Sequence, residues 1–382
     1  MSEILTYFQS QRQAMVELLT TLVNYETPTS DKAAVDKLGE FMQRQFQALG
    51  ASSVTRLPQT EVGDFLLAKW HEDAPGKPIL FLIHIDTVWP LGTLANRPVT
   101  IDEQGRLFGP GAIDMKGGIT IVLTAIRGLR ELGQMPERPI WVLMTSDEEV
   151  GSIHSHAVIE EVAAQCGLVL VMEPATPEEA LKTWRKGIAS YTIYVEGRAS
   201  HAGNAPEQGI NAIVEMAQQA LDLNAMNDLK NGTSVALTTV KGGIASNVIP
   251  PSAEGQIDVR VLSARAYDDI NEKIMSLQPH VPGAKVRVEQ HHARGPMERN
   301  ELMIKTFAQC KAIGEKIGLA VREDGSGGAS DGNFTAYMGV PTLDGLGPQG
   351  RGLHAEDEQV VVNSLPRRAA LIAGMLRDWV FE

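Results

Sequence analysis

Cysteine is nearly missing: the 382 residues hold two, Cys166 and Cys310, and neither lies in a CxxC pattern. A disulfide scaffold and a thiolate zinc site are therefore disfavoured, and two buried thiols in a reducing compartment are expected. No apolar run approaches the ~20 residues that a membrane span needs. The amino terminus, Met-Ser-Glu-Ile-Leu-Thr-Tyr-Phe, lacks the basic and apolar regions of a secretory signal. Cytoplasmic is the expected location. Basic residues are outnumbered, 34 Lys and Arg against 47 Asp and Glu, for a net charge of −13. That balance argues against nucleic acid or an anionic membrane as a partner. Internal repeats and low-complexity tails are absent. What remains is ordinary globular material, 43% hydrophobic and 21% charged, long enough for two or three domains.

One stretch organises the chain. Ile79-Leu-Phe-Leu-Ile-His-Ile-Asp-Thr87 runs five apolar residues into His84 and Asp86. A short continuous run of β-formers predicts a strand buried on both faces. In open α/β sheets ligands bind at the carboxyl edge, where this polar pair falls. An imidazole beside a carboxylate is a metal ligand with an orienting partner, half of an acid–base pair, or a strand end with two solvated residues. Two further runs repeat the design. Pro139 to Ser146 leads into Asp147, Glu148 and Glu149, and Leu168 to Met172 leads into Glu173. Three such strand ends suggest one shared site, since gathered carboxylates repel and a divalent cation relieves them.

The rest of the chain follows a recognisable order. Helical stripes are predicted over 11–24 and from a Ser30 N-cap to Leu49, then strands near 52–57 and 64–70. Gly109-Pro-Gly-Ala-Ile-Asp-Met-Lys-Gly-Gly118 matches neither nucleotide-binding glycine pattern, and reads as a tight turn holding Asp114 before a helix. Strand, helix and strand then recur through 174, a parallel-sheet pattern. Between 183 and 294 the order becomes βαββαβ, a ferredoxin-like unit inserted in the first domain. From about 300 the α/β pattern resumes, ending in a helix capped by Ser364. The fold class expected is thus α/β with a mixed, mostly parallel sheet, in a catalytic domain of residues 1–182 and 295–382. An α+β domain of 183–294 is inserted in it.

His84, Asp114, Glu149, Glu173 and His354 can be gathered as one metal set. Two histidines with three carboxylates suit Zn²⁺, Mn²⁺ or Co²⁺. Five ligands are too many for a single open zinc, but suit two ions if one carboxylate bridges. A glutamate beside a shared water could shuttle its proton. Glu148 is that glutamate or a solvated neighbour of a ligand.

Six ordered motifs then resemble one family. His84-Ile-Asp-Thr-Val88, Gly109 to Gly118, Asp147-Glu-Glu-Val-Gly151, Glu173-Pro174, Ala199-Ser-His-Ala-Gly203 and His354-Ala-Glu356 are similar to the M20 metallopeptidases, and within them to the folate-hydrolysing glutamate carboxypeptidases. The resemblance implies a zinc-exopeptidase-like catalytic domain and a dimerisation (lid) domain. It implies two Zn²⁺ per subunit, with Asp114 bridging, His84 and Glu173 on one ion, and Glu149 and His354 on the other. Asp86 would orient His84, and Glu148 would be the general base toward a metal-activated water. A cis peptide is implied at Asp114–Met115. His201 would serve the partner subunit's oxyanion, making a homodimer necessary. Asn247 and Arg260 would bind the substrate's terminal carboxylate, and Gly328 and Ser330 lie in a pocket-lining loop.

The resemblance has departures. Glutamate-cleaving members place a lysine where this chain has Ala180, with Lys182 two residues on, and Arg294 is slightly displaced. An enzyme acting on a small N-acylated amino acid or peptide is expected, releasing a C-terminal amino acid. The alternative is an aminoacylase or an acetylornithine- or succinyl-diaminopimelate-type deacylase; a catalytically dead binding protein is the reading from another class. His154, His156, His280, His291 and His292 match no ligand position and are read as surface residues.

Overall fold

The computed structural model describes residues 2–381, and the chain forms two compact units. One unit takes the chain up to Thr183, Arg299–Ser326 and the chain from Ser330 on; the other takes Trp184–Glu298 with Gly327–Ala329.

The first unit is built on a six-stranded sheet in the order Ser53–Leu57, Phe65–Trp70, Ile140–Thr145, Ile79–His84, Leu168–Val171, Thr342–Leu343. Ile79–His84 lies parallel to both neighbours, with Ile79 opposite Ile140 and Leu168. Thr342–Leu343 continues the parallel run, and the two strands at the other edge are antiparallel. Every residue of the three central strands is buried, which is why their sequences are continuously apolar rather than alternating. Leu80, Leu82, Leu143, Val169 and Val171 pack with Ile159, Val162 and Phe334 from helices His156–Ala163 and Gly332–Tyr337. Burying one such side chain contributes roughly 1.5–3 kcal/mol. Helix Gly117–Glu131 packs on the central strand and on helix Ser364–Asp378. A Cβ at Gly118 would stand 2.2 Å from the Met172 carbonyl oxygen, so only glycine lets this helix come so close to the strand end that carries Glu173.

The shared register decides the site. The three central strands start level and run the same way, with His84 opposite Thr145 and Leu82 opposite Val171, the last strand stopping two residues short of the others. The residues that follow therefore leave the sheet at one edge.

Some local expectations are corrected. The helix expected from Ser30 is capped by Asp31, whose carboxylate accepts from the Ala34 N–H, and runs Lys32–Ala48. Ser364 is the first residue of its helix rather than the cap; its hydroxyl donates to the Val361 carbonyl and accepts from the Gln349 N–H. A small antiparallel sheet of Gly350–Arg351, Gln359–Val361, Arg106–Phe108 and Thr100–Ile101 was not foreseen. Strands of two or three residues are too short for alternation to register in sequence.

The second unit is an antiparallel sheet in the order Ser234–Gly242, Ser252–Val261, Gly187–Glu196, Lys285–Arg294, with helices Ala212–Ala225 and Ala264–Met275. In chain order this is βαββαβ, as the alternating sequence implies. One face is covered, so Ala189, Tyr191, Ile193 and Val195 point inward at every second position, against Met216, Leu223, Ile270 and Ile274. Among the described residues no helix is long and apolar enough to cross a membrane.

Candidate metal centre

The central strand ends at His84, and its imidazole is 2% exposed. His84 Nδ1 faces Asp86, 3.3 Å from Oδ1 and 3.2 Å from the backbone oxygen. His84 Nε2 faces the other way, 3.3 Å from Asp114 Oδ1 and 3.4 Å from Glu173 Oε1. Asp86 does more than face the histidine. Its carboxylate accepts from Thr29 Oγ1 at 2.7 Å and from the backbone N–H groups of Glu148 and Glu149 at 3.3 and 3.2 Å. One buried side chain thus holds both the imidazole and the turn that follows the neighbouring strand.

That turn, Glu148–Val150, is a single 3₁₀ turn, and it separates the adjacent acids. The carboxylate of Glu148 groups with His84 and Glu173, and that of Glu149 with Asp114 and His354. Glu149 Oε2 is 3.0 Å from His354 Nε2. Asp114 spans the two groups: Oδ1 faces His84, and Oδ2 lies 3.2 Å from His354 Nε2. It sits in the turn Ala112–Lys116 ahead of helix Gly117–Glu131, and the Asp114–Met115 peptide is cis. His354 arrives from the returning part of the chain with φ +58°, a left-handed backbone that few non-glycine residues adopt. The unforeseen small sheet brings it there, because Gln359 and Val360 pair with Phe108 and Leu107 just before the Asp114 turn.

The electrostatics are those of a charge cluster short of cations. Burial works to lower the His84 pKa, yet Asp114, Asp86 and Glu173 hold it well above the usual value. Asp114 and Glu149 likewise raise His354 to about 10. Burial and nearby Asp114 push Glu149 up to about 7 against the pull of His354, and burial also raises Glu173. Asp114 is the exception: burial would raise it, but His354 and His84 pull it below the carboxylate range.

The residues fit a metal. His84 Nε2, Asp114 Oδ1 and Glu149 Oε1 are buried without a hydrogen-bond partner, although His84 Nε2 and Asp114 Oδ1 stand 3.3 Å apart. Buried polar atoms are rarely left so, and these three converge with nitrogen and oxygen donors that divalent first-row cations accept.

One residue of the centre escaped the sequence reading. Glu358, 1% exposed, accepts from Trp89 Nε1 at 2.7 Å and from the backbone N–H groups of Gly111, Ile113 and Asp114 at 2.9, 3.0 and 3.3 Å. In sequence it is one of several acids after His354, and nothing there marks it.

The remaining expected residues are divided between the two units. His201 sits in the second unit, bridged to Val248, and the next residue, Ala202, donates its N–H to the Asn247 carbonyl. His201 and Asn247 are thus brought together. His201 Nδ1 accepts from the Gly203 and Asn204 N–H groups at 3.1 and 3.0 Å, so its proton belongs on Nε2. Arg260 is not brought to them. It lies eight positions along its strand from Ser252, about 27 Å at ~3.4 Å per residue, and Asp258 binds it in two bonds of 2.9 Å. The Gly328 carbonyl accepts from Arg185 Nη1 at 3.1 Å within the second unit. Ser330, in the first, donates to Asp344 Oδ2 at 2.6 Å. Ala180, Lys182 and Arg294 are all buried. His156 stacks on Phe334 and does not join the centre, and His280 pairs with Asp222 at 2.5 Å within the second unit.

Comparison with known proteins follows this geometry. The model of a family described as peptidase family M20/M25/M40 matches residues 80–378. The chain is 33% identical over 378 residues to carboxypeptidase G2 of Pseudomonas sp. (strain RS-16), covering 96% of this chain and 90% of that one. It is 28% identical to a succinyl-diaminopimelate desuccinylase of Alkalilimnicola ehrlichii, covering 95% and 98%. The fold matches aminopeptidase PepT from Bacillus cereus at TM-score 0.78 and 20% identity, covering 96% of this chain and 98% of that one. It also matches an M20 family metallo-carboxypeptidase from Sulfolobus solfataricus at TM-score 0.69 and 15% identity, covering 95% and 98%.

Proposed function

The chain belongs to the M20/M25/M40 peptidase family, a hydrolase family, and from that premise we propose that it is a two-metal carboxypeptidase that releases a C-terminal amino acid, glutamate by preference, from a small acylated substrate. One observation carries the two-metal reading: Asp114 offers one oxygen toward His84 and the other toward His354. His84 and Glu173 would hold one ion with it, Glu149 and His354 the other, Zn²⁺ first and Co²⁺ or Mn²⁺ as substitutes. Divalent cations bound there would supply a lowered pKa for a shared water and a polarised scissile carbonyl.

The chain's own groups do the rest. Asp86 holds the His84 ring so that Nε2 faces the site. Glu148 takes the water's proton and returns it to the leaving amine. His201, protonated on Nε2, donates to the oxyanion as carbonyl becomes alkoxide. Arg260 would serve the terminal carboxylate together with Asn247 of the partner subunit, with the Gly328 and Ser330 loop lining the pocket.

The roles of His201 and Asn247 call for a homodimer. Strand Ser234–Gly242 supports it, since it ends its sheet and is exposed from Thr238 to Gly242. Val240 on this strand is 50% exposed and Ile244 just beyond it 70%, and an unpaired sheet edge is a template for pairing with another chain. Val240→Glu is expected to convert dimer to monomer in light scattering and to lower kcat with metal content intact. A monomeric wild type with full activity would end this part. Buried free Cys166 and Cys310 suit a reducing cytoplasm.

Substrate class is settled by a panel. Aroyl- or peptidyl-glutamates are expected to exceed N-succinyl and N-acetyl amino acids in kcat/KM by tenfold or more, about 1.4 kcal/mol in transition-state binding. The reverse order would favour the deacylase reading, to which the 28% identical desuccinylase lends support.

A further inference from the structure

We propose that Glu358 is a positioning residue of the metal centre, keying three ligand-bearing loops to one buried carboxylate so that Asp114 stands between His84 and His354. The inference rests on the two-metal reading above and deepens it.

Each loop is tied by a named contact. Glu358 closes the loop that carries His354, and its own N–H donates to the Ala355 carbonyl at 3.1 Å. Its Oε1 accepts from Ile113 and Asp114 N–H, and Oε2 from Gly111 N–H, so three amides of the Asp114 turn end on this side chain. That turn is not regular helix, so these amides need an acceptor from outside it. Oε2 also accepts from Trp89 Nε1, in the loop that leaves His84 and Asp86. Trp89 is held in turn by Arg97, whose guanidinium lies 4.1 Å over the indole and donates to the Ala355 carbonyl.

The chemistry of the partners makes the choice of residue specific. All four are N–H donors, and an ionised carboxylate is acceptor-only, with lone pairs enough for four. A glutamine in the same place would set an amide N–H₂ against one pair of donors. Two bonds would be lost and the turn would move toward the freed space. Such a movement shifts Asp114, and with it the shared oxygen pair, rather than any substrate contact.

The test uses the full-length protein in three forms: wild type, Glu358→Gln and Trp89→Phe. Zinc stoichiometry and affinity are read by competition with a chromophoric chelator, alongside the visible spectrum of the Co²⁺ form, kcat, KM and melting temperature. Glu358→Gln is expected to bind zinc 10–100-fold more weakly, with an altered Co²⁺ spectrum and a fall in kcat at nearly constant KM. Trp89→Phe removes one donor of four and should weaken zinc binding about 3–10-fold in the same direction. Wild-type affinity and spectrum in Glu358→Gln, with only a lower melting temperature, would reduce the residue to a structural role and overturn the proposal. Should Glu358→Gln fail to fold, unchanged zinc affinity in Trp89→Phe overturns it instead. A wild type that takes up fewer than two ions is a separate result: it defeats the two-metal reading, and the proposal with it.

Discussion

Glu148→Gln is expected to keep its metal and to lose amide hydrolysis by about 10²–10⁴-fold, the usual contribution of a positioned acid–base group. Glutamine preserves the size of the side chain and the turn Glu148–Val150. The Asp86 bonds to the backbone of 148 and 149 do not involve the altered carboxyl. What disappears is the ability to accept a proton. The experiment must separate two roles, because the Glu148 carboxylate groups with His84 and Glu173 and could ligate instead. Metal content measured with kcat does so. Two retained ions with lost turnover supports the base, and loss of one ion makes Glu148 a ligand. Unchanged turnover removes it from the chemistry altogether.

Removing the metal is expected to reduce activity to background, and zinc, cobalt or manganese to restore it. The metal-free centre also gains a pH dependence whose sign follows from its histidines. His354 is raised to about 10 by Asp114 and Glu149, and His84 is raised well above its usual value. A raised histidine stabilises the fold fully below its unfolded value of roughly 6.5, and that contribution fades as pH rises through the folded value. Metal-free protein should therefore lose melting temperature between about pH 7 and pH 10, where its imidazolium–carboxylate pairs dissolve. Metal-loaded protein should not show that loss, since its histidines are neutral ligands throughout. Loading must displace those protons, so apparent zinc affinity should fall as pH drops from about 8 to about 6. Ion bound at a thousandfold excess over its dissociation constant adds about 4 kcal/mol to stability. A chelated protein with full activity, or with an unaltered pH–stability curve, would refute the assignment of this centre.

Much of the site was legible in sequence for a physical reason. A strand buried on both faces must be apolar throughout, so a polar residue at its end stands out. Ile79–His84, Ile140–Thr145 and Leu168–Val171 could each be read this way, and each pointed to its own acid or histidine. The second unit was legible too, because one solvated sheet face forces the alternation seen from Ala189 to Val195. The scarcity of cysteine and the net negative charge also need no coordinates.

What sequence could not decide is everything that depends on one segment meeting another far along the chain. Whether the three strand ends coincide is a matter of register, which hydrogen bonds between strands set and which no single strand encodes. The approach of His354 to Asp114 rests on strands of two and three residues, too short to carry a pattern. The division of Glu148 from Glu149 comes from one turn pinned by Asp86, a contact between residues more than sixty apart. Glu358 shows the limit most plainly. Its role consists of four N–H groups arriving from two other loops, and a side chain whose partners come from elsewhere has no signature of its own until the chain has folded around it.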